Sequence, residues 1–282
     1  MALVSMKEML QKARKERYGI GAFNIFNIES MEAVLEAAEE QKSPLILAFA
    51  EIMKPNINIE YISLVGRKMA QEASVPVALH LDHGQSYEYC LTALRNGFSS
   101  VMIDASVKSL EENIAITKKV VAACKHLGIS VEAELGHVGE GSTYGTDSDD
   151  SYKTIPEEVI KFVAETEVDA LAVSIGNAHG AYKKAPKIDH ERLIKLREIT
   201  EAPLVLHGGS GISDDDFKLT VKEGICKINI FTEMSQQAIA NVKELQNSGD
   251  YKWVLDFNAA IKAGMKKVAL KRMEIFGSVG KA

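Results

Sequence analysis

A chain of 282 residues, 46% of them apolar, can bury a sizeable core, so its three cysteines need not form a disulfide scaffold. Its net charge of −6, with lysines and arginines scattered along the chain, excludes a nucleic-acid footprint. No apolar run approaches the roughly 20 residues that cross a bilayer, and Met1–Leu10 lacks the apolar core of a signal peptide. Cys90, Cys124 and Cys226 are widely spaced, which predicts buried reduced thiols in a cytoplasmic protein with no membrane partner.

Short aliphatic or β-branched runs bounded by Gly, Pro or Asn predict eight strands. In chain order they are Gly19–Asn24, Pro44–Ala50, Pro76–Leu81, Ser99–Asp104, Ser130–Leu135, Ala170–Ile175, Pro203–His207 and Lys227–Ile230. Most are apolar almost throughout, as parallel strands covered on both faces must be. Helical patterns lie between them. Met31, Val34, Leu35 and Ala38 make one apolar stripe at the 3.6-residue period. Thr154 as a cap, with Pro156 and Glu157 behind it, marks another helix start. Ser213 followed by three aspartates opens a further one, with acids near its positive end. Eight strand–helix repeats without a separating linker predict a single domain over 1–282, an α/β fold of the (β/α)8 TIM-barrel class. A helical tail from about Ser235 to Ala282 is expected to pack across the barrel or against a partner subunit. Gly136–Lys153, rich in Gly, Ser and Asp, is too long for an ordinary connection and is expected to be a lid.

In such a barrel the carboxyl ends of all strands meet on one face, where catalytic groups sit. The strand endings here carry Asn24, Asp82-His83, Asp104, Glu134, Asn177-Ala178-His179-Gly180, His207-Gly208-Gly209-Ser210-Gly211 and Asn229. Three imidazoles around an open position are a common catalytic zinc arrangement, although spacing leaves open whether His83, His179 and His207 meet. Asp104 and Glu134 need a partner at the barrel top, whether metal, lysine or histidine. Glu132, on Glu134's face, is expected in a structural ion pair, and His80, on Asp82's face, in a supporting role. His126 and His190 are expected to be structural, while His137 falls in the lid. The glycine-rich ending after the seventh strand, with Asn229 and Thr232 after the eighth, fits the phosphate site that those loops commonly build.

The motifs LHLDHG, VMIDAS, VEAELG, IGNAHG, LVLHGGSG and KINIFTE, in this order, closely resemble the class II, metal-dependent ketose-bisphosphate aldolases, and LVSMKEMLQKA, GAFNI and FGSVGKA extend the resemblance over essentially the whole chain. The resemblance implies reversible aldol cleavage of a phosphorylated ketose, of the fructose or tagatose 1,6-bisphosphate type, to dihydroxyacetone phosphate and an aldehyde. It implies Zn2+ held by His83, His179 and His207, with Asp104 and Glu134 at a second metal location. Asp82 would shuttle the hydroxyl proton and Asn229 would orient the enediolate. Asn24 would line the pocket; Gly180, Lys183, Gly208, Ser210 and Thr232 would bind the ketone-side phosphate, with a monovalent cation (Na+ or K+) nearby. A homodimer or homotetramer is implied as well.

Four positions depart from the family pattern, all on the lid or the aldehyde side. Glu140 stands in a shifted lid motif as the candidate C3 base. Phe231 replaces an Asp that reads the aldehyde, Ala50 replaces a Ser, and Lys252 stands where an Arg grips the far phosphate. These changes keep open an aldolase for a ketose 1-phosphate or sugar-acid phosphate. A metal-dependent sugar-phosphate epimerase or isomerase and a non-catalytic binding protein are the rival readings. The strand ends show no buried lysine, so a Schiff-base route is not expected.

Overall fold

The computed structural model describes residues 3–139, 152–180 and 186–282. Its eight strands are β1 (Ile20–Asn24), β2 (Leu45–Ala50), β3 (Val77–Gly84), β4 (Ser100–Ile103), β5 (Ser130–Leu135), β6 (Ala170–Val173), β7 (Leu204–Leu206) and β8 (Ile225–Ile230). All pair in parallel in sequence order, and β1 closes on β8 with Ala22 beside Asn229. The predicted strands all appear, with β3 running on through Asp82 and His83 and β8 starting two residues early. The helices are α1 (Met6–Glu16), α2 (Ile28–Gln41), α3 (Ile59–Glu72), α4 (Tyr87–Arg95), α5 (Leu110–Cys124), α6 (Pro156–Thr166), α7 (His190–Ile199), α8 (Asp214–Glu223), α9 (Thr232–Ser248) and α10 (Val254–Ile275). The (β/α)8 barrel with C-terminal helices is therefore present.

Strand alternation sorts the side chains into two cores. Leu47, Leu79, Val101 and Leu171 point outward and pack under the helices. Ala22, Ala48, Ala78 and Ala172 point inward, and their small size admits Met6, Met9, Leu10 and Ala13 of α1. That helix therefore seals the barrel from its amino-terminal end. Above the plug the interior turns polar in two layers. His80, Glu132 and Lys227 are fully buried, and two residues further along the same strands stand Asp82, Glu134 and Asn229.

Ser213 caps α8 as expected, accepting from the Asp216 amide at 3.0 Å. Thr154 does not cap α6. Ile155 holds that position ahead of Pro156, while the Thr154 hydroxyl donates to the Leu135 carbonyl at 2.5 Å and accepts from the Ser174 amide at 2.8 Å. It laces β5 to β6 instead, because its side chain is turned inward and buried. The tail packs on the barrel's own flank. Lys262 of α10 pairs with Glu32 and Glu36 of α2 at 2.8 and 2.5 Å, and Arg272 ties Asp214 to Glu233. No helix of the described residues is long and apolar enough to cross a membrane.

Candidate active site

The polar strand ends converge around a cavity of about 450 Å3 at the carboxyl-terminal mouth of the barrel. One ring nitrogen from each of His83, His179 and His207 lies within 4.8 Å of the others, and His83, Asp104 and Glu134 form a second such group. A register shift against β4 between Leu81 and Gly84 contains His83, whose φ of 48° is a left-handed backbone that a residue other than glycine adopts at a cost. This twist sends His83 toward Asp104 while Asp82 stays on the barrel axis.

The hydrogen bonds around the histidines fix which nitrogens face the cavity. His83 Nδ1 lies 2.9 Å from Asp104 Oδ2, and His207 Nε2 lies 2.8 Å from Glu132 Oε1. An ionised carboxylate only accepts, so both of these nitrogens carry hydrogen. The remaining nitrogens, His83 Nε2 and His207 Nδ1, then face each other at 2.8 Å. Two lone pairs so placed suit a shared cation. A buried, unpartnered Glu134 Oε2 adds a further donor beside them. The donor set of three imidazoles and nearby carboxylates fits zinc.

Asp82 sits beneath the pair, its Oδ1 4.0 Å from His83 Nε2 and 3.9 Å from His207 Nδ1. Asn24 donates to its Oδ2 at 2.8 Å and Asn229 to its Oδ1 at 2.9 Å. Burial alone would raise this carboxyl, but the adjoining His83, His207 and Lys227 pull it well below the usual carboxylate range. Burial works against charge on His83 too, yet Asp82, Asp104 and Glu134 raise it to about 9. Glu134 is itself pushed up to about 8, by burial and then by Asp104.

Across the mouth, Asn177 of the β6 ending donates to the His207 carbonyl at 2.9 Å and so fastens the β6 and β7 endings together. Gly208 makes that closeness feasible: it has φ 63°, and a β-carbon there would sit 2.1 Å from the Ala178 carbonyl oxygen. Asn24, Gly180, Gly208, Ser210, Asn229 and Thr232 all line the cavity. Ala50, Ile52, Met53 and Phe231 line its β1–β2–β8 side, where the Phe231 ring packs edge-on to Phe26 at 6.1 Å. His137 also reaches the cavity, its Nδ1 3.0 Å from Ser106 Oγ. His126 is exposed, and His190 pairs with Glu223 at 2.6 Å on the outer helices. Lys252 is at the exposed corner between α9 and α10, over the Trp253 ring. Glu140 and Lys183 lie outside the described residues.

A buried lysine not singled out from the sequence lies below the strand ends, which themselves carry none among the described residues. Lys227 is wholly enclosed one layer below the strand ends, with its Nζ 3.0 and 2.9 Å from the two Glu132 oxygens. The ion pair marks it as an ammonium, which is no nucleophile. Strand alternation places Lys227 and Asn229 on one face; that face and the need to neutralise Glu132 were the available signals.

The model of the family described as fructose-bisphosphate aldolase class-II matches residues 4–281. The fructose-bisphosphate aldolase of Thermus caldophilus is 44% identical, over 99% of this chain and 100% of that protein. The sulfofructosephosphate aldolase of Alkalicoccus urumqiensis is 38% identical, over 100% and 99%. The crystal structure of the YdjI aldolase of Escherichia coli K12 superposes with a TM-score of 0.89 at 40% identity, over 99% of both chains.

Proposed function

The chain belongs to the class II fructose-bisphosphate aldolase family, and from that premise we propose a zinc-dependent lyase that cleaves a ketose 1,6-bisphosphate reversibly to dihydroxyacetone phosphate and an aldehyde. The observation that carries this reading is the placement of the ionised, amide-held Asp82 directly beneath the facing nitrogens of His83 and His207. His83, His179 and His207 would hold zinc, with Asp104 and Glu134 as alternative ligands. Zinc bound there would supply Lewis acidity to the ketose carbonyl.

The remaining work falls to side chains. In cleavage Asp82 takes the proton from the C4 hydroxyl, the C3–C4 bond breaks, and its electron pair passes into the enediolate of the ketone half. A proton must then reach C3, and Glu140 is the candidate to deliver it. Asn229, whose buried Oδ1 has no hydrogen-bond partner, orients the enediolate through that atom. Gly180, Lys183, Gly208, Ser210 and Thr232 bind the C1 phosphate, and Asn24 holds Asp82. We further assign a monovalent cation (Na+ or K+) beside the phosphate, a homodimer or homotetramer, and a cytoplasmic location.

One observation favours a second reading for the aldehyde half. Ala50, Ile52, Met53 and Phe231 offer that side of the cavity neither charge nor side-chain hydrogen bond, which suits an aldehyde without phosphate. The deciding experiment incubates zinc-loaded protein with fructose 1,6-bisphosphate, tagatose 1,6-bisphosphate and several ketose 1-phosphates, coupling dihydroxyacetone phosphate release to NADH oxidation. Turnover of a bisphosphate supports the first reading, and turnover of 1-phosphates alone supports the second. Substrate conversion without any triose phosphate would mean an isomerase or epimerase.

A further inference from the structure

We propose that Lys227 and Glu132 are a positioning pair that fixes the ring of His207 so that Nδ1 faces the metal, a proposal resting on His83, His179 and His207 being the metal ligands. The pair lies inside the barrel, from β8 and β5, and both side chains are wholly buried.

The argument follows the hydrogens. Met6 Sδ can only accept, so the Ser100 hydroxyl 3.7 Å away donates to it. His80 Nδ1, 2.8 Å from Ser100 Oγ, must then be the donor to that oxygen. This leaves His80 Nε2 as an acceptor, 3.5 Å from Lys227 Nζ, which only donates. Lys227 donates to Glu132 Oε1 at 3.0 Å and lies 2.9 Å from Oε2 as an ion pair, and Oε1 also accepts from His207 Nε2. The acceptor-only carboxylate fixes the His207 end of this chain, where Nε2 carries the hydrogen, while His80 Nε2 lies 3.5 Å from Lys227 Nζ and 3.7 Å from Glu132 Oε2. The His207 tautomer is thus set by a carboxylate that cannot reverse its role.

The consequence for His207 is specific. Its Nε2–H is pinned to Glu132, so Nδ1 keeps a lone pair facing His83 Nε2 at 2.8 Å. Removing the acceptor would free the ring to carry its hydrogen on Nδ1, where it would point at the metal position. Lys227 touches no ligand itself. Its part is to hold the Glu132 carboxylate in place from both oxygens in a region closed to water.

The test uses the full chain and two neutral double variants, so that no buried charge is stranded. E132L/K227M removes the acceptor and both charges; E132Q/K227M removes the charges but keeps an amide oxygen at the same place. Zinc affinity is read by chelator competition, and the His207 tautomer by nitrogen-15 resonances of the histidine rings, with circular dichroism confirming the fold. We expect E132L/K227M to weaken zinc binding by about ten- to a hundredfold and to lose the Nε2–H pattern. E132Q/K227M should keep the pattern and lose less affinity. Folded E132L/K227M with wild-type zinc affinity and an unchanged His207 pattern overturns the positioning role alone. Wild-type protein that binds no zinc overturns the three-histidine reading and this proposal with it.

Discussion

His83 and His207 point ring nitrogens at each other across 2.8 Å while their other nitrogens are committed to Asp104 and Glu132. Something positive must lie between them. Without metal that role falls to a proton on His83, which the surrounding carboxylates hold to about 9 against the effect of burial. Dialysis against a chelator should therefore abolish turnover yet leave the fold intact by circular dichroism, and zinc or cobalt should restore activity. Full activity in protein shown to be free of metal would remove metal chemistry from the reading.

Asp82→Ala should bind zinc and lose about 10²- to 10⁴-fold in kcat, the usual worth of a positioned acid–base group. It also strips the Asn24 and Asn229 amides of their acceptor. A loss of about 1–3 kcal/mol in unfolding free energy should accompany it. Zinc content, kcat and a denaturant titration of the variant check all three. Turnover within threefold of wild type would strip Asp82 of its role.

Gly208→Ala places a β-carbon on the Ala178 carbonyl, in a backbone region that alanine adopts reluctantly. The strain, about 1–3 kcal/mol, must push the β7 ending away from the β6 ending. If those endings hold the phosphate, KM for the ketose phosphate should rise at least tenfold with zinc affinity little changed. An unaltered KM would move the phosphate elsewhere.

Burial raises Cys90 to about 12 and Cys124 and Cys226 to about 11. Only a thiolate attacks a disulfide reagent, so the native protein should stay unlabelled at pH 8 and react at three thiols in denaturant. The sign for stability follows: unfolded thiols ionise near 8.5 and folded ones only near 11–12. Unfolding thus releases protons between those limits, and the melting temperature should fall as pH climbs from about 8.5 towards 11. Rapid labelling of the native protein at pH 8 would contradict the buried positions.

Much of this site was legible because the fold puts its polar residues where apolar runs stop. Asp82, His83, Asp104, Glu134, His207 and Asn229 each announce a strand end, and barrel closure brings them together. Glu132 was expected in an ion pair and is in one, but its partner Lys227 was hidden for a different reason. Alternation tells which face a residue takes, but not which of seven other strands supplies its partner 95 positions away. The place of α1 was hidden likewise, since the stripe Met6, Met9, Leu10 and Ala13 would suit a helix outside the barrel as well as one plugging it. Thr154 misled because a hydroxyl before a proline-led helix satisfies the capping pattern whether or not it turns inward.

The seam between β1 and β8 gives the buried ion pair a bearing on how the chain matures. Ile20 waits for Lys227, more than 200 residues downstream, so closure is a contact of very high sequence separation and among the slower events of folding. Until β8 arrives, Glu132 has no ammonium beside it, and a lone carboxylate holds its hydration. A barrel open at this seam would therefore keep water around Glu132, and the same closure that pairs β1 with β8 brings Lys227 to Glu132 and holds the carboxylate that meets His207.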